Sequence, residues 1–134
     1  NAPLAIGCTA SGDNYALPGQ LIEVVLREVG WRAVNMGANL PLSSLATAVR
    51  RERPKMVWLS VSHIEDVQDF IKKYREFVDS IPKSVSIVVG GRALTDELRP
   101  RLQFSAHCDT MQQLAQLARA LRGQAGMPPQ GREI

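Results

Sequence analysis

Short apolar runs alternate along this chain with longer segments in which apolar residues recur at helical spacing. Most of the short runs are apolar at consecutive positions, which is typical of strands buried on both faces of a parallel sheet. Five such runs predict strands, at Leu4–Cys8, Trp31–Gly37, Met56–Ser62, Val85–Val89 and Phe104–Cys108.

Four amphipathic segments predict helices between and after these strands. Asp109 or Thr110 is expected to cap the last helix, and Thr95 to cap a short segment that Pro100 interrupts. Proline also begins the first two helices, because the first helical turn does not use the N–H group that proline lacks. The helices are predicted over about Pro18–Val29 and Pro41–Arg53, from Glu65 to a stop at Ile81-Pro82, and from the last cap through Leu121.

Strands that alternate with helices predict an α/β fold, because parallel neighbours need a crossover connection. Right-handed crossovers then predict a doubly wound, five-stranded parallel sheet in a Rossmann-like three-layer arrangement. The expected strand order is the flavodoxin-like 2-1-3-4-5. We expect one domain over residues 1–122. Residues 123–134 are expected to form a disordered tail, because they are rich in glycine and proline and poor in apolar residues.

Composition sets limits on what the chain does. Its 134 residues, 45% of them hydrophobic, can bury a core without metal ions or disulfides. The net charge of +3 comes from basic residues spread over several elements, which argues against direct binding of nucleic acid. We expect Cys8 and Cys108 to be reduced thiols, and we find no apolar run long enough for a membrane span and no signal segment. These features predict a cytoplasmic protein. Because the sequence begins at Asn1 rather than Met, we expect it to be part of a longer chain.

In the predicted fold, the loops after the first, third and fourth strands share one rim of the sheet, where ligands of such folds bind. These loops hold small and polar residues, which allow close backbone approach or donate hydrogen bonds. Neither a Walker sequence nor a dinucleotide fingerprint is present, and Gly90-Gly91 is equally consistent with a plain tight turn. The candidate binding residues on this argument are Gly12, Ser60, Ser62, Gly90 and Gly91.

The order of these three motifs resembles the cobalamin-binding domain of corrinoid methyltransferases, B12 mutases and MerR-type B12-sensing regulators. Gly12-Asp13-Asn14-Tyr15 stands where that family has Asp-x-His-x-x-Gly, and Ser60-Val61-Ser62 where it has Ser-x-Leu or similar. Gly90-Gly91 stands where it has Gly-Gly. The resemblance covers Leu4 to about Arg122, and it implies a flavodoxin-like fold and a corrinoid ligand. It also implies that Asp13, Asn14 and Tyr15 are candidate binding residues.

One departure from the family concerns the metal. In the family, the histidine of the first motif ligates cobalt, and the aspartate holds the other ring nitrogen of that histidine. Tyr15 stands at the histidine position here, and Pro18 at that of the motif glycine. Tyrosine is a poor cobalt ligand unless it is deprotonated, which the high pKa of a free tyrosine opposes. We therefore expect any corrinoid to bind without histidine ligation, and Asp13 to cap the loop or the following helix.

Other residues with chemical potential have simpler interpretations. His63 follows the third strand and is a candidate substitute ligand, although an exposed loop histidine is the competing interpretation. His107 is expected to be structural, and neither histidine belongs to the ligand cluster that zinc requires. Trp58 and Tyr74 are expected to be core or interface aromatics. No nucleophile with a base at recognisable spacing is present, and the lysine of phosphoacceptor receivers is missing, so no enzymatic activity is expected.

By resemblance, the chain is expected to be a sensory or regulatory domain. The closest setting is the effector domain of a MerR-type transcriptional regulator, whose DNA-binding part lies outside this sequence. A corrinoid on the rim would then change the state of a homo-oligomer, with Ser60, Ser62, Gly90 and Gly91 around its nucleotide tail. In one version of this hypothesis the ligand's own base stays on the metal. Two alternatives stay open, a degenerate domain for protein interaction or dimerisation that binds no ligand, and a component of corrinoid-dependent methyl transfer.

Overall fold

A computed structural model describes residues 2–10 and 17–125 of the chain. Within them, parallel strands alternate with helices, and none of these helices has the length and apolar character to cross a bilayer. The strands are β1 (Leu4–Thr9), β2 (Arg32–Asn35), β3 (Met56–Ser60), β4 (Ser86–Gly90) and β5 (Ala106–His107). The helices are α1 (Leu17–Glu28), α2 (Leu42–Glu52), α3 (Val67–Ser80) and α4 (Met111–Ala125), and a 3-10 turn covers Arg99–Arg101.

Parallel pairing joins the five strands in the order β2-β1-β3-β4-β5. β1 and β3 are neighbours at the centre of the sheet although β2 separates them in the sequence, so the winding direction of the chain changes between them. The carboxyl ends of β1, β3 and β4 consequently lie side by side. The predicted α/β class, the doubly wound parallel sheet and the strand order are confirmed.

Side chains alternate between the two faces of the sheet and form two apolar cores. One core packs Leu59 of β3 against α2 and α3, where Tyr74 is 1% exposed. The other core lies under α1 and α4 and combines Trp58 of β3 with Leu26 and Leu114. Because helices cover both faces of the central strands, those strands are apolar at consecutive positions.

The region around β5 differs from the prediction. Only two residues form this strand, not Phe104–Cys108, because the Ser105 hydroxyl accepts the hydrogen bond of the Ile87 amide at 2.9 Å in place of a strand carbonyl. Pro100 lies within the 3-10 turn rather than interrupting the segment, since the first turn of a helix has unused N–H positions. β3 is also shorter than predicted and ends at Ser60 instead of Ser62.

The start of α4 is fixed by reciprocal capping. The Thr110 hydroxyl accepts a hydrogen bond from the Gln113 amide at 3.0 Å, and the Gln113 side chain accepts one from the Asp109 amide at 2.7 Å. Of the two predicted caps, Asp109 and Thr110, the structure therefore has Thr110. The helix continues to Ala125, past the predicted boundary at residue 122, and the rest of the predicted tail lies outside the described residues.

Gly7 leaves the space that the Trp58 indole occupies on the neighbouring strand. The two residues are paired, and a Cβ atom at position 7 would lie 2.1–2.4 Å from ring carbons of Trp58. Since both strands are fixed by hydrogen bonds, we expect Gly7→Ala to lower the free energy of unfolding by about 1–3 kcal/mol in urea denaturation. A control, Gly123→Ala on the exposed part of α4, should raise it by about 0.5–1 kcal/mol. Unchanged stability of Gly7→Ala would show that the sheet can adjust to the added methyl group.

Candidate functional site

Small and polar residues form a row at the carboxyl ends of the central strands. Thr9 of β1 pairs with Ser60 of β3, and Ser60 pairs with Gly90 of β4. Because side chains alternate along a strand, this row lies on the same face as Trp58, under α1 and α4. Thr9 and Ser60 are buried, at 1% and 6% exposure. The apolar core on this face therefore changes to a polar layer where the strands end.

A cavity of about 270 Å³ adjoins this row, between the sheet and helices α1 and α4. Four of the residues that the sequence predicts for the site line it together, namely Ser60, Ser62, Gly90 and Gly91. The other four lie outside the described residues, namely Gly12, Asp13, Asn14 and Tyr15. The loops after β3 and β4 thus meet at one site as predicted, and the contribution of the first loop stays a prediction.

Apolar side chains from three elements form the inner wall of the cavity. Ile22 comes from α1, Trp58 and Val88 from the sheet, and Leu114 from α4. Trp58 is 1% exposed, and its Nε1–H has no hydrogen-bond partner among the described residues. The sequence indicates a core aromatic at this position, which is correct. It does not reveal the unpaired donor, because only the packing decides which buried polar groups find partners.

Polar residues at the mouth of the cavity were missed by the sequence prediction. Arg92 follows the glycine pair and is exposed, while Asp109 and Thr110 come from the cap of α4. Arg92 could have been found, because it lies in the third loop of the predicted rim. Cys108 also lines the cavity, and burial, together with the charge of Asp109, raises the pKa of its thiol. This thiol is therefore protonated near neutral pH and is a poor nucleophile.

Backbone geometry requires the glycine pair. Gly91 has φ +116°, and a Cβ atom there would lie 2.1 Å from the carbonyl oxygen of Val61. A Cβ atom at Gly90 would lie 2.7 Å from the carbonyl oxygen of Cys108. The turn is completed by the Ala93 amide, which donates to the Val61 carbonyl at 3.1 Å. The pair therefore forms a tight turn and also borders the cavity, so these glycines are needed whether or not a ligand binds.

The two histidines lie outside this cavity. His63 is exposed and lines two other cavities, near α2 and α3, which does not support its role as a substitute ligand. His107 has a structural contact, since its Nε2 atom is 3.2 Å from Oδ1 of Asp109. Within residues 2–10 and 17–125, no cluster of three or more His, Cys, Asp or Glu side chains that could hold a metal ion is present.

A larger cavity, of about 640 Å³, lies on the opposite face of the sheet between α2 and α3. Its lining includes exposed charged side chains, among them Asp69 and Lys73, whose Oδ2 and Nζ atoms form an ion pair at 3.0 Å. None of the described site residues predicted from the sequence lines it. The larger cavity also includes Ala10 and His63, which follow β1 and β3, so its position relative to the switch point does not distinguish it from the smaller one. The smaller cavity is the candidate site because Ser60 and the glycine pair line it.

Gly91 and Gly37 allow a test of how tightly the turn after β4 is held. Both have positive φ, +116° and +101°, but a Cβ atom at Gly37 would meet nothing within 4 Å. Gly37→Ala should therefore cost only the left-handed strain, about 1–2 kcal/mol. Gly91→Ala should cost about 1–3 kcal/mol more, because its methyl group would overlap the Val61 carbonyl. Urea denaturation of both variants measures the difference, and equal losses would show that the contact with Val61 is easily relieved.

Several solved structures share this fold. The methanol:cobalamin methyltransferase complex and the monomethylamine corrinoid protein of Methanosarcina barkeri each superpose with a TM-score of 0.78 and 18% sequence identity. The superpositions cover 93% and 90% of this chain, and 47% and 58% of those chains. A cobalamin-binding protein of Desulfitobacterium hafniense has a TM-score of 0.76 and 14% identity, with 90% and 59% coverage. At such identities the likeness concerns the fold alone.

The chain spans about half to three fifths of the length of these corrinoid-related structures, between 47% and 59%. No curated protein matches the sequence significantly. The sequence profile of the B12 binding domain, however, matches residues 3–110, which include β1 to β5 and the cavity residues Ser60 and Gly90. The chain belongs to the B12 binding domain family.

Proposed function

We propose that this chain binds a corrinoid and holds the base of the ligand's nucleotide tail in the cavity at the ends of β3 and β4. The observation that carries the proposal is that cavity, where the buried Ser60 and the wall around Trp58 meet in a member of the B12 binding domain family. Its volume of about 270 Å³ is just below the roughly 300–1,000 Å³ of pockets for drug-sized ligands. The cavity therefore suits one heteroaromatic base, and the corrin ring would lie outside it on the rim.

The residues at the cavity fit such a tail chemically. Trp58, Ile22 and Leu114 offer apolar surface to a flat ring, and burial of that ring stabilises the complex by about 25 cal/mol per Å² of apolar area. The hydroxyl group of Ser60 can donate a hydrogen bond. At the mouth, the exposed guanidinium of Arg92 has the charge and donor geometry to attract the tail phosphate. When bound, a corrinoid supplies a cobalt ion that carries an exchangeable upper ligand.

We propose further that binding does not use a histidine of the first loop. Tyr15 stands at the sequence position of that histidine, and the His63 side chain lines different cavities. A base that enters the cavity cannot stay on the metal, so the protein has to offset the lost cobalt–base bond through contacts with the tail. This version replaces the one in which the base stays on the cobalt, because the cavity gives the base a site of its own.

We propose that the bound corrinoid serves regulation and not catalysis, in the effector domain of a MerR-type regulator. The support for this use is Tyr15, since the missing histidine is the residue through which the family tunes cobalt for methyl transfer. A second candidate is a methyl-carrying role beside a methyltransferase. It is supported by the solved structures of similar fold, which include a methanol:cobalamin methyltransferase complex and a monomethylamine corrinoid protein.

A titration with hydroxo-, methyl- and adenosylcobalamin tests corrinoid binding. The visible spectrum of the wild-type complex should show the base released from cobalt. Ser60→Leu should weaken binding at least tenfold, about 1.4 kcal/mol, because the larger side chain fills the cavity. Ser44→Leu, on the exposed surface of α2 and outside the cavity, should bind as the wild type does. No binding to the wild type at high micromolar ligand would overturn the proposal and favour a domain that acts without a ligand.

The regulatory use and the methyl-carrying use predict different effects of the corrinoid on the oligomeric state of the protein. If the corrinoid regulates, it must bind one oligomeric state more tightly than another, typically by a factor of at least about 5. Sedimentation velocity with and without saturating adenosylcobalamin should therefore show the midpoint of assembly shifted by about fivefold or more. An unchanged midpoint in a fully loaded protein would contradict the regulatory use and favour the carrier.

A further inference from the structure

The two tryptophans of the chain differ in how their indole N–H groups are satisfied. Trp31 and Trp58 belong to the same apolar core and are 3% and 1% exposed. The Trp31 Nε1–H donates to the carbonyl oxygen of Ala118 at 2.9 Å. The Trp58 Nε1–H has no partner among the described residues, and it is the one buried side-chain polar atom there without one.

An unpaired buried donor requires an explanation, because the large majority of buried polar groups in proteins are hydrogen-bonded. A phenylalanine at position 58 would keep most of the aromatic packing against Gly7 and would leave no donor unpaired. Since the indole nitrogen donates and cannot accept, its missing partner must carry a lone pair. Trp58 lines the cavity at the ends of β3 and β4, and its Nε1 atom is covered. A group in this cavity can therefore supply the lone pair once a neighbouring side chain moves aside.

The residues around Trp58 limit which kind of acceptor can be its partner. Beside Trp58, the inner wall is apolar and consists of Ile22, Val88 and Leu114. A charged acceptor such as a phosphate would lose its hydration against this wall, whereas a flat ring with an in-plane nitrogen would keep apolar contacts and offer one lone pair. The tail phosphate is better placed at the mouth, beside the exposed Arg92.

We propose that the Trp58 indole N–H donates a hydrogen bond to the ring nitrogen of the tail base, the same nitrogen that binds cobalt in the free ligand. This inference rests on the proposed corrinoid binding and adds to it a determinant of specificity for the tail. The indole donor and the metal compete for one lone pair, so the donor favours release of the base from cobalt. Trp58 thereby stabilises the released form in a chain whose first loop has tyrosine at the histidine position.

The first test compares two ligands and two matched variants by isothermal titration. Cobinamide lacks the nucleotide tail, whereas cobalamin carries it. Trp58→Phe should weaken cobalamin binding roughly three- to tenfold, as expected for one lost hydrogen bond, and should leave cobinamide binding unchanged. Trp31→Phe removes a donor whose partner is in the protein, so it should leave both affinities unchanged. The visible spectrum of cobalamin bound to Trp58→Phe should also show a smaller fraction of released base.

A second test needs no variant that might fold poorly. The two indole N–H groups of the wild type give two ¹H–¹⁵N correlations, because the chain contains two tryptophans. Cobalamin should move the Trp58 proton downfield and slow its exchange with solvent, while the Trp31 proton stays in place. Cobinamide should move neither proton.

The possible outcomes distinguish a failure of the Trp58 hydrogen bond from a failure of corrinoid binding. If the wild type binds neither ligand, corrinoid binding itself fails. If the wild type binds cobalamin and Trp58→Phe binds it equally well, or if Trp58→Phe weakens both ligands by the same factor, the hydrogen bond to the base is excluded. A Trp58 indole resonance that does not respond to bound cobalamin overturns the inference in the wild type as well.

Discussion

The packing of the Trp58 indole on Gly7 is the contact on which the rest of this structure depends. The two residues are direct neighbours on β1 and β3, the strands on either side of the switch point. Glycine is required because a Cβ atom would lie within 2.1–2.4 Å of the ring. The contact places a large side chain in the middle of the sheet face under α1 and α4, at the inner wall of the cavity.

One step further along each strand, the character of the surface changes. The pairing that sets Gly7 opposite Trp58 also sets Thr9 opposite Ser60, and Ser60 opposite Gly90. Small and polar groups therefore lie together at the strand ends, directly beside an apolar wall. A site of this kind suits a ligand that is apolar in one part and polar in the next, as a base joined to a sugar phosphate is.

The glycine pair shows that a motif can have two causes. Gly91 is fixed by its positive φ and by its contact with the Val61 carbonyl, and Gly90 by the approach of Cys108. Both requirements come from the backbone and would persist if no ligand ever bound. The pair is thus weak support for binding when read alone. The stronger support is the cavity that it borders with Ser60 and Ser62.

Much of the fold could be predicted because it follows from local patterns. Consecutive apolar residues in β3 and β4 predicted buried parallel strands, and a cap at Asp109 or Thr110 predicted the start of α4. The prediction failed at β5, where the Ser105 side chain takes a backbone partner, since such a contact between distant residues leaves no periodic pattern.

The sequence by itself determined the alternation of strands and helices, the strand order and the residues of two of the three rim loops. These features follow from apolar periodicity within short segments and from the order of those segments along the chain. Only the tertiary structure decided that a cavity separates α1 and α4 from the strand ends, that Arg92 lies at its mouth, and that the Trp58 donor is unpaired. These features depend on how side chains from distant segments fill space and satisfy one another's hydrogen bonds, which no single stretch of sequence specifies.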